Sequence, residues 1–323
     1  MNIVFFEDDK SLNFEPLSLS RPVYTLLCGT SKIYEKWLKA LKPKEFAFLC
    51  RPYLQALAET EKGASTGIRQ LQLLAGEDTV FINGRLLPSA DMIKALRNLR
   101  RGQAIVDGEN LYAYGVKRHL DLHRVEILQN LHEATNLEII RQTSDKLPAT
   151  PTVINYLWEL VNINGRLIES EFGRFKSKSA KQAKIGSKAN LIKRDNIFIA
   201  SGVEIGSQVT IDASDGPVII ERGTVVEPLT FIKGPSYIGP NCRIVGGKIR
   251  EGCSFGPVCR VGGEVEETIM QGYCNKYHQG FLGHAFLGEW VNLGALTTNS
   301  DLKNNYAPIS VVVNGGAVDT GQL

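Results

Sequence analysis

The sequence predicts two folds in series: a mostly parallel α/β domain, then a parallel β-helix. Three observations predict this. Downstream, branched or aromatic residues recur every six positions, at Ile199, Ile205 and Ile211, then Ile220, Val226, Ile232, Ile238 and Ile244, then Ile249, Phe255 and Val261, then Leu287 and Leu293. Glycine follows the recurring residue at Gly206, Gly239, Gly256, Gly283, Gly288 and Gly294. Upstream, short apolar runs alternate with helical patterns, the signature of strands joined by crossover helices. A period of six suits neither a helix nor a half-buried strand. It suits a chain coiled into a triangular prism, with one short strand and one corner per unit and the recurring side chain inside. Residues eighteen apart then stack. Prisms of this kind wind left-handed, although the spacing itself does not set the hand.

Residues 1–6 (MNIVFF) read as a buried first strand, and residues 7–20 as a polar loop. A helix is expected over 31–41, with Ser31 as N-cap and Ile33, Trp37, Leu38 and Leu41 on one face. Further strands are expected at 46–49, 79–82, 103–106, 111–116 and 137–140, and helices at 51–59 and 90–99. Ligands of such sheets bind beyond the carboxyl ends of the strands, which places the loop after the first strand at the expected site. Pro148 and Pro151 suggest a boundary, followed by an amphipathic helix over 152–172. The expected division is a domain over 1–150, a connecting helix and basic linker over 151–184, and the β-helix over 185–323.

The chain has 323 residues, 43% hydrophobic and 22% charged, with a net charge of +3, which gives no reason to expect nucleic acid. Eight Lys or Arg residues and no acid lie between Glu171 and Asp195, as in a solvated linker. No apolar run approaches the ~18 residues a membrane span requires. The first residues lack the features of a secretory leader. The six cysteines form no C-x-x-C pair. Free, buried thiols in a reducing cytoplasm are therefore expected. His278 has the chemistry of a general base. A zinc reading of His278 and His284 would need a third protein ligand, for which Cys242 is a poor candidate.

The run N-K-Y-H-Q-G-F-L-G-H-A-F-L-G-E-W-V-N-L-G-A-L-T-T-N-S-D-L-K-N-N-Y, residues 275–306, resembles the acetyltransferase half of the bifunctional N-acetylglucosamine-1-phosphate uridylyltransferase / glucosamine-1-phosphate acetyltransferase family, and its divergent branch above all. P-L-S-L-S-R-P-V (16–23), Glu35-Lys36-Trp37, Asn83-Gly84-Arg85 and W-E-L-V-N-I-N-G (158–165) resemble the nucleotidyltransferase-like half. The resemblance implies an α/β nucleotidyltransferase-like, Rossmann-like domain joined to a left-handed β-helix in a cytoplasmic homotrimer. It implies His278 as the base that deprotonates an amino sugar attacking acetyl-CoA, and Asn292 as a sugar contact. Arg260 is implied as a phosphate contact, with Lys276 and Asp301 as further substrate contacts.

In the first half the usual Gly-rich loop is missing, since no glycine lies between Phe5 and Arg21. Asn83-Gly84-Arg85 stands where the family keeps a G-D dipeptide. Arg21 and Lys36 are the expected phosphate contacts there, Asn83 and Arg85 the substrate contacts, and Asp8, Asp9 and Asp107 the candidates for Mg²⁺. Phe281 and Asp301 depart from the main branch, which keeps a tyrosine and an asparagine there, and this leaves the acceptor sugar open. The chain stops where the family adds further coils, which suggests a truncated form. The expected activity is synthesis of a nucleotide-activated N-acetyl amino sugar from a sugar phosphate, a nucleoside triphosphate and acetyl-CoA. Two other readings stay open: nucleotidyl transfer alone with the prism as an oligomerisation scaffold, and a non-catalytic sugar-nucleotide-binding protein.

Overall fold

The computed structural model describes residues 1–61, 78–116, 127–128, 130–131, 133–176, 183–299, 303–305 and 307–322. They form two compact units. The first comprises residues 1–26 and 32–156, the second 27–31 and 157–323.

In the first unit, strands β1 (Asn2–Phe6), β2 (Phe46–Phe48), β3 (Thr79–Asn83), β4 (Gln103–Asp107), β5 (Asn110–Gly115) and β6 (Asp145–Lys146) form one sheet in the order β2-β1-β3-β5-β4-β6. All neighbours pair in parallel except β5, which runs antiparallel to both β3 and β4. The sheet therefore presents the carboxyl ends of β1, β2, β3 and β4 along one edge. Every residue of β1 is buried, as expected of a central strand covered on both faces. Helix α1 (Ile33–Leu41) begins one residue later than a Ser31 cap would put it: Lys32 is the N-cap, and its N–H donates to Glu35 Oε2 at 3.0 Å. Helix α2 (Ala90–Asn98) is capped by Ser89, which accepts from Met92 N. Residues 137–140, read as a strand, lie inside helix α3 (Ala134–Thr143). Leu137 and Ile140 are buried and three apart, so they share a helical face, and a short apolar run could not distinguish the two states.

The second unit opens with helix α4 (Leu157–Glu171), which starts later than the expected 152, because Thr152–Val153 pairs with Leu86–Leu87 in the first unit. From Lys184 onward the chain winds as a left-handed parallel β-helix of about six coils. Its first face stacks Ile205, Val226, Ile244, Val261 and Lys276. The second stacks Ile211, Ile232, Ile249, Val265 and Leu282, and the third Ile199, Ile220, Ile238, Phe255, Met270 and Leu287. The hexad residues that carried the prediction all belong to this interior, with Leu293 packed against it. Parallel pairing buries each inward side chain between two coils, worth roughly 1.5–3 kcal/mol per large aliphatic.

The third face breaks the rule of polar residues outside. Its outward Ile219 and Tyr237 are buried, packed against Ile168 of α4 and against Phe172 and Phe175 just beyond it. Asn164 of the same helix donates to Gly252 O at 2.8 Å and accepts from Gly29 N at 2.6 Å, which ties residues 27–31 to this unit. Thr30 likewise donates from its N–H and its hydroxyl to Glu171 Oε2, at 2.9 and 2.6 Å. With the third face covered, the first and second faces carry the prism's open surface. The six cysteines are free and buried.

Candidate functional site

At the carboxyl edge of the first unit's sheet, parallel topology collects residues far apart in sequence. Glu7 and Asp8 follow β1, Arg51 follows β2, Asn83 ends β3 and Arg85 follows it, while Asp107 and Asn110 stand at the β4–β5 turn. Asp8 and Arg85 form a buried pair: Arg85 Nε donates to Asp8 Oδ1 at 2.9 Å and Nη2 to Oδ2 at 2.6 Å. Asn83 Nδ2 donates to the same Oδ2 at 2.8 Å, while its Oδ1 accepts from Arg85 N. Arg85 Nη1 donates to Ile154 O and Asn155 Oδ1. Gly84 is required between them because a Cβ there would stand 2.7 Å from Tyr24 Cδ1. Asn83 and Arg85, expected to meet a substrate, instead hold Asp8, and at 1% exposure neither reaches solvent.

Glu7 and Arg51 form a second buried pair, with Arg51 Nε donating to Oε2 at 3.1 Å and Val23 N to Oε1 at 3.0 Å. Burial pushes the Glu7 carboxyl above the usual carboxylate range despite the opposing pull of Arg51. Arg21 and Lys36 are both buried. Of the three acids expected at Mg²⁺, Asp8 has its oxygens engaged by Arg85 and Asn83, whereas Asp9 and Asp107 are exposed. Among the described residues no group of three or more His, Cys, Asp or Glu could hold a metal. Asp8 is therefore satisfied within the fold, while Asp9 and Asp107 keep their carboxylates at the surface.

On the prism, the register aligns Arg243, Arg260, Asn275 and Asn292 as one outward ladder on the first face. Asn275 Nδ2 donates to Asn292 Oδ1 at 2.7 Å. Arg243 pairs with Glu227 at 2.7 Å. The strand carrying Asn275 leads directly into residues 277–280, the turn bearing His278. That imidazole is exposed and lies edge-on to Tyr277, with ring centroids 5.5 Å apart. Arg260 and Asn292, expected as substrate contacts, thus share a face with each other and with the approach to His278. Asp301 lies outside the described residues.

Lys276 departs from expectation. It points into the prism, 2% exposed, and its ammonium donates to Gly262 O at 3.1 Å, His278 O at 2.8 Å and Gly280 O at 2.8 Å. All three of its donors are engaged, which takes it out of reach of a substrate. Burial lowers its pKa.

A recess of about 460 Å³ opens on the edge between the first and second faces, lined among others by Phe231, Gly246, Gly247, Gly263, Lys248 and Gln279. Its origin is a shortened corner. Inward residues across this edge are six apart at Ile205–Ile211 and Val226–Ile232, five apart at Ile244–Ile249, four apart at Val261–Val265, and six apart again at Lys276–Leu282. In the two short coils the strand runs straight through as Arg243–Ile249 and Arg260–Glu266. The following corner, 277–280, is full length. The expected residues did not include Glu7, Arg51 or this recess. The signal that could have found the recess is the pair of Gly-Gly steps at 246–247 and 262–263, where the hexad phase breaks.

A Rossmann-like sheet with charge gathered at its carboxyl edge, followed by a left-handed β-helix, defines a two-domain protein of the sugar-nucleotide transferase class. A family model described as sugar nucleotidyl transferase matches residues 3–180, more than half of the chain. The chain belongs to that family. The "Bifunctional protein GlmU" of Rippkaea orientalis is 32% identical over 135 residues, covering 34% of this chain and 30% of that protein. Its namesake in Thermoanaerobacter pseudethanolicus is 24% identical over 205 residues, 54% of this chain and 42% of that protein. The one in Acaryochloris marina is 32% identical over 136 residues, 35% and 30% respectively. The chain thus matches well under half the length of these curated relatives.

Proposed function

We propose that the chain makes a nucleotide-activated N-acetyl amino sugar, with UDP-N-acetylglucosamine as the expected product, and that it works as a homotrimer. The observation that carries the acetyl-transfer half is the ladder Arg260–Asn275–Asn292, on the face that leads into the exposed His278 turn. A guanidinium at Arg260 suits a sugar phosphate, and the two amides suit ring hydroxyls. The amine nitrogen attacks the thioester carbonyl of acetyl-CoA while His278 removes the ammonium proton. The tetrahedral intermediate collapses, the carbon–sulfur bond breaks, and the CoA thiolate leaves and is protonated.

The family match supports nucleotidyl transfer by the first unit: the sugar phosphate oxygen attacks the α-phosphorus of a nucleoside triphosphate and pyrophosphate departs. Magnesium, when bound, neutralises phosphate charge there, with Asp9 and Asp107 as the carboxylates that would hold it. The closure of Asp8 onto Arg85 favours a second reading, in which this unit binds a sugar nucleotide without reacting.

Two assays on the purified chain test the proposal. One is CoA release from acetyl-CoA and glucosamine-1-phosphate; the other is pyrophosphate release from UTP and N-acetylglucosamine-1-phosphate with Mg²⁺. His278→Ala should abolish the first and spare the second. Full CoA release by that variant removes His278 from the mechanism. Silence of the wild-type chain in both assays, with nucleotide binding retained, leaves the binding reading.

A further inference from the structure

Every inward residue of the first face from coil to coil is aliphatic until Lys276: Ile205, Val226, Ile244 and Val261 precede it in register. A lysine in that column is costly, because an ammonium loses its hydration on burial, and another aliphatic would fill the interior without that penalty. Its position is explained by what it holds. Two of its three acceptors, His278 O and Gly280 O, belong to the turn it precedes, and the third, Gly262 O, belongs to the previous coil.

At complete corners a main-chain bond ties one coil's turn to the next: Leu229 N donates to Ser207 O, and Leu296 N donates to Gln279 O. The 277–280 turn follows a coil whose corner is cut short; there Glu264 N donates to Gly280 O at 3.2 Å, and the lysine adds a second tie, from the turn to Gly262. The packing around the ammonium is close. A Cβ at Gly263, where φ is +70°, would stand 2.7 Å from the Lys276 Nζ and 3.0 Å from His278 O.

We propose that Lys276 is a positioning residue, an internal ammonium clamp that fixes the main chain of the His278 turn and thereby the direction in which the imidazole leaves the prism. The catalytic consequence rests on the reading of His278 as the acetyl-transfer base; the clamp itself does not. Lys276 touches no substrate, so it acts on turnover only through the turn.

The test is Lys276→Met, which should fold because it restores the aliphatic type of its own column. Hydrogen exchange read by mass spectrometry should show lost protection confined to the segment around 277–281, while the segments around Ile244 and Ile249 stay protected. In the CoA-release assay kcat should fall about 100-fold, the scale set by a displacement of about 1 Å in a catalytic group. KM for the amino-sugar phosphate should stay unchanged.

Unchanged exchange at 277–281 together with unchanged kcat overturns the clamp. If the wild-type chain releases no CoA, the base reading fails while the exchange result still decides the clamp. Should Lys276→Met not fold, the wild-type chain decides it: 277–281 amides exchanging as fast as those at the exposed 314–315 turn would overturn the proposal, and slower exchange would support it.

Discussion

Removing the carboxylate of Asp8 should unfold the first unit far more readily than its small size suggests. Asp8 and Arg85 are 2% and 1% exposed, and their closest approach is 2.6 Å. Asp8→Ala leaves the guanidinium buried with only neutral acceptors, Ile154 O, Asn155 Oδ1 and Asn110 Oδ1. Breaking a buried pair on one side costs about 3–5 kcal/mol, because the surviving charge keeps its desolvation penalty without its counter-charge. For a unit of this size each kcal/mol lowers Tm by roughly 2–4 °C, so the expected drop is roughly 6–20 °C.

Trp37 is the probe for this measurement. It is fully buried in the first unit, and its indole N–H donates to Leu86 O at 2.8 Å. Urea unfolding followed by its fluorescence, with Trp158 and Trp290 replaced by Phe, isolates this unit from the prism. Asp78→Ala, which breaks a surface pair with Arg101 in the same unit, is the control and should leave the midpoint almost unmoved. A loss of less than about 1 kcal/mol in Asp8→Ala would refute the reasoning, since it would place the pair in the surface class. A rise in stability with Mg²⁺ that Asp8→Ala abolishes would return Asp8 to the metal and would equally refute the lock.

Three further outcomes follow from the same geometry. Gly263→Ala should cost roughly 1–3 kcal/mol, since φ is +70° and the new Cβ meets Gly280 O at 2.7 Å; urea denaturation of the prism checks it. The native chain should show no fast-reacting thiols toward an aromatic disulfide at pH 8 and six in denaturant, because all six are buried and burial raises Cys253 and Cys50, the latter to about 12. Burial raises the Glu7 pKa above its unfolded value, so its contribution to stability is fully present below the unfolded pKa and lost as pH rises through the folded one. Glu7→Gln should therefore gain on the wild-type chain as pH rises from 4 to 8, read as the difference in Tm between the two proteins.

Much of the prism was legible because a single side chain per six residues carries the whole interior, and pattern alone identifies it. Legibility ended at Val261. Between that residue and Leu287 the interior is filled by Val265, Met270, Lys276 and Leu282, spaced four, five, six and six, and the lysine reads as a surface residue in any hydropathy pattern. The roles of Arg260 and Asn292 were implied by resemblance, but that the two share a face, with Asn275 between them, follows from register. In the first unit five strands were clear, although 137–140 proved helical, while the use of Asp8, Asn83 and Arg85 was not. A carboxylate after a first strand and an arginine 77 residues later could each meet a substrate; only the paired carboxyl ends of β1 and β3 show that they meet each other.

The departures from regularity in the prism are coupled, and their coupling is the strongest reason to look for function at that edge. Cutting the corner at Ile244–Ile249 and Val261–Val265 forces glycine into the through-running strands, because Gly262 and Gly263 pass within van der Waals contact of the next coil's carbonyls. The missing corners open the recess. The restored corner at 277–280 then stands beside an opening, with its turn tied back by an ammonium that a regular coil would never need. A chain shaped for stability alone would keep six residues per corner and an aliphatic at position 276. Together these departures place a recess and the turn bearing the exposed His278 on the prism whose first face carries the ladder of Arg260, Asn275 and Asn292.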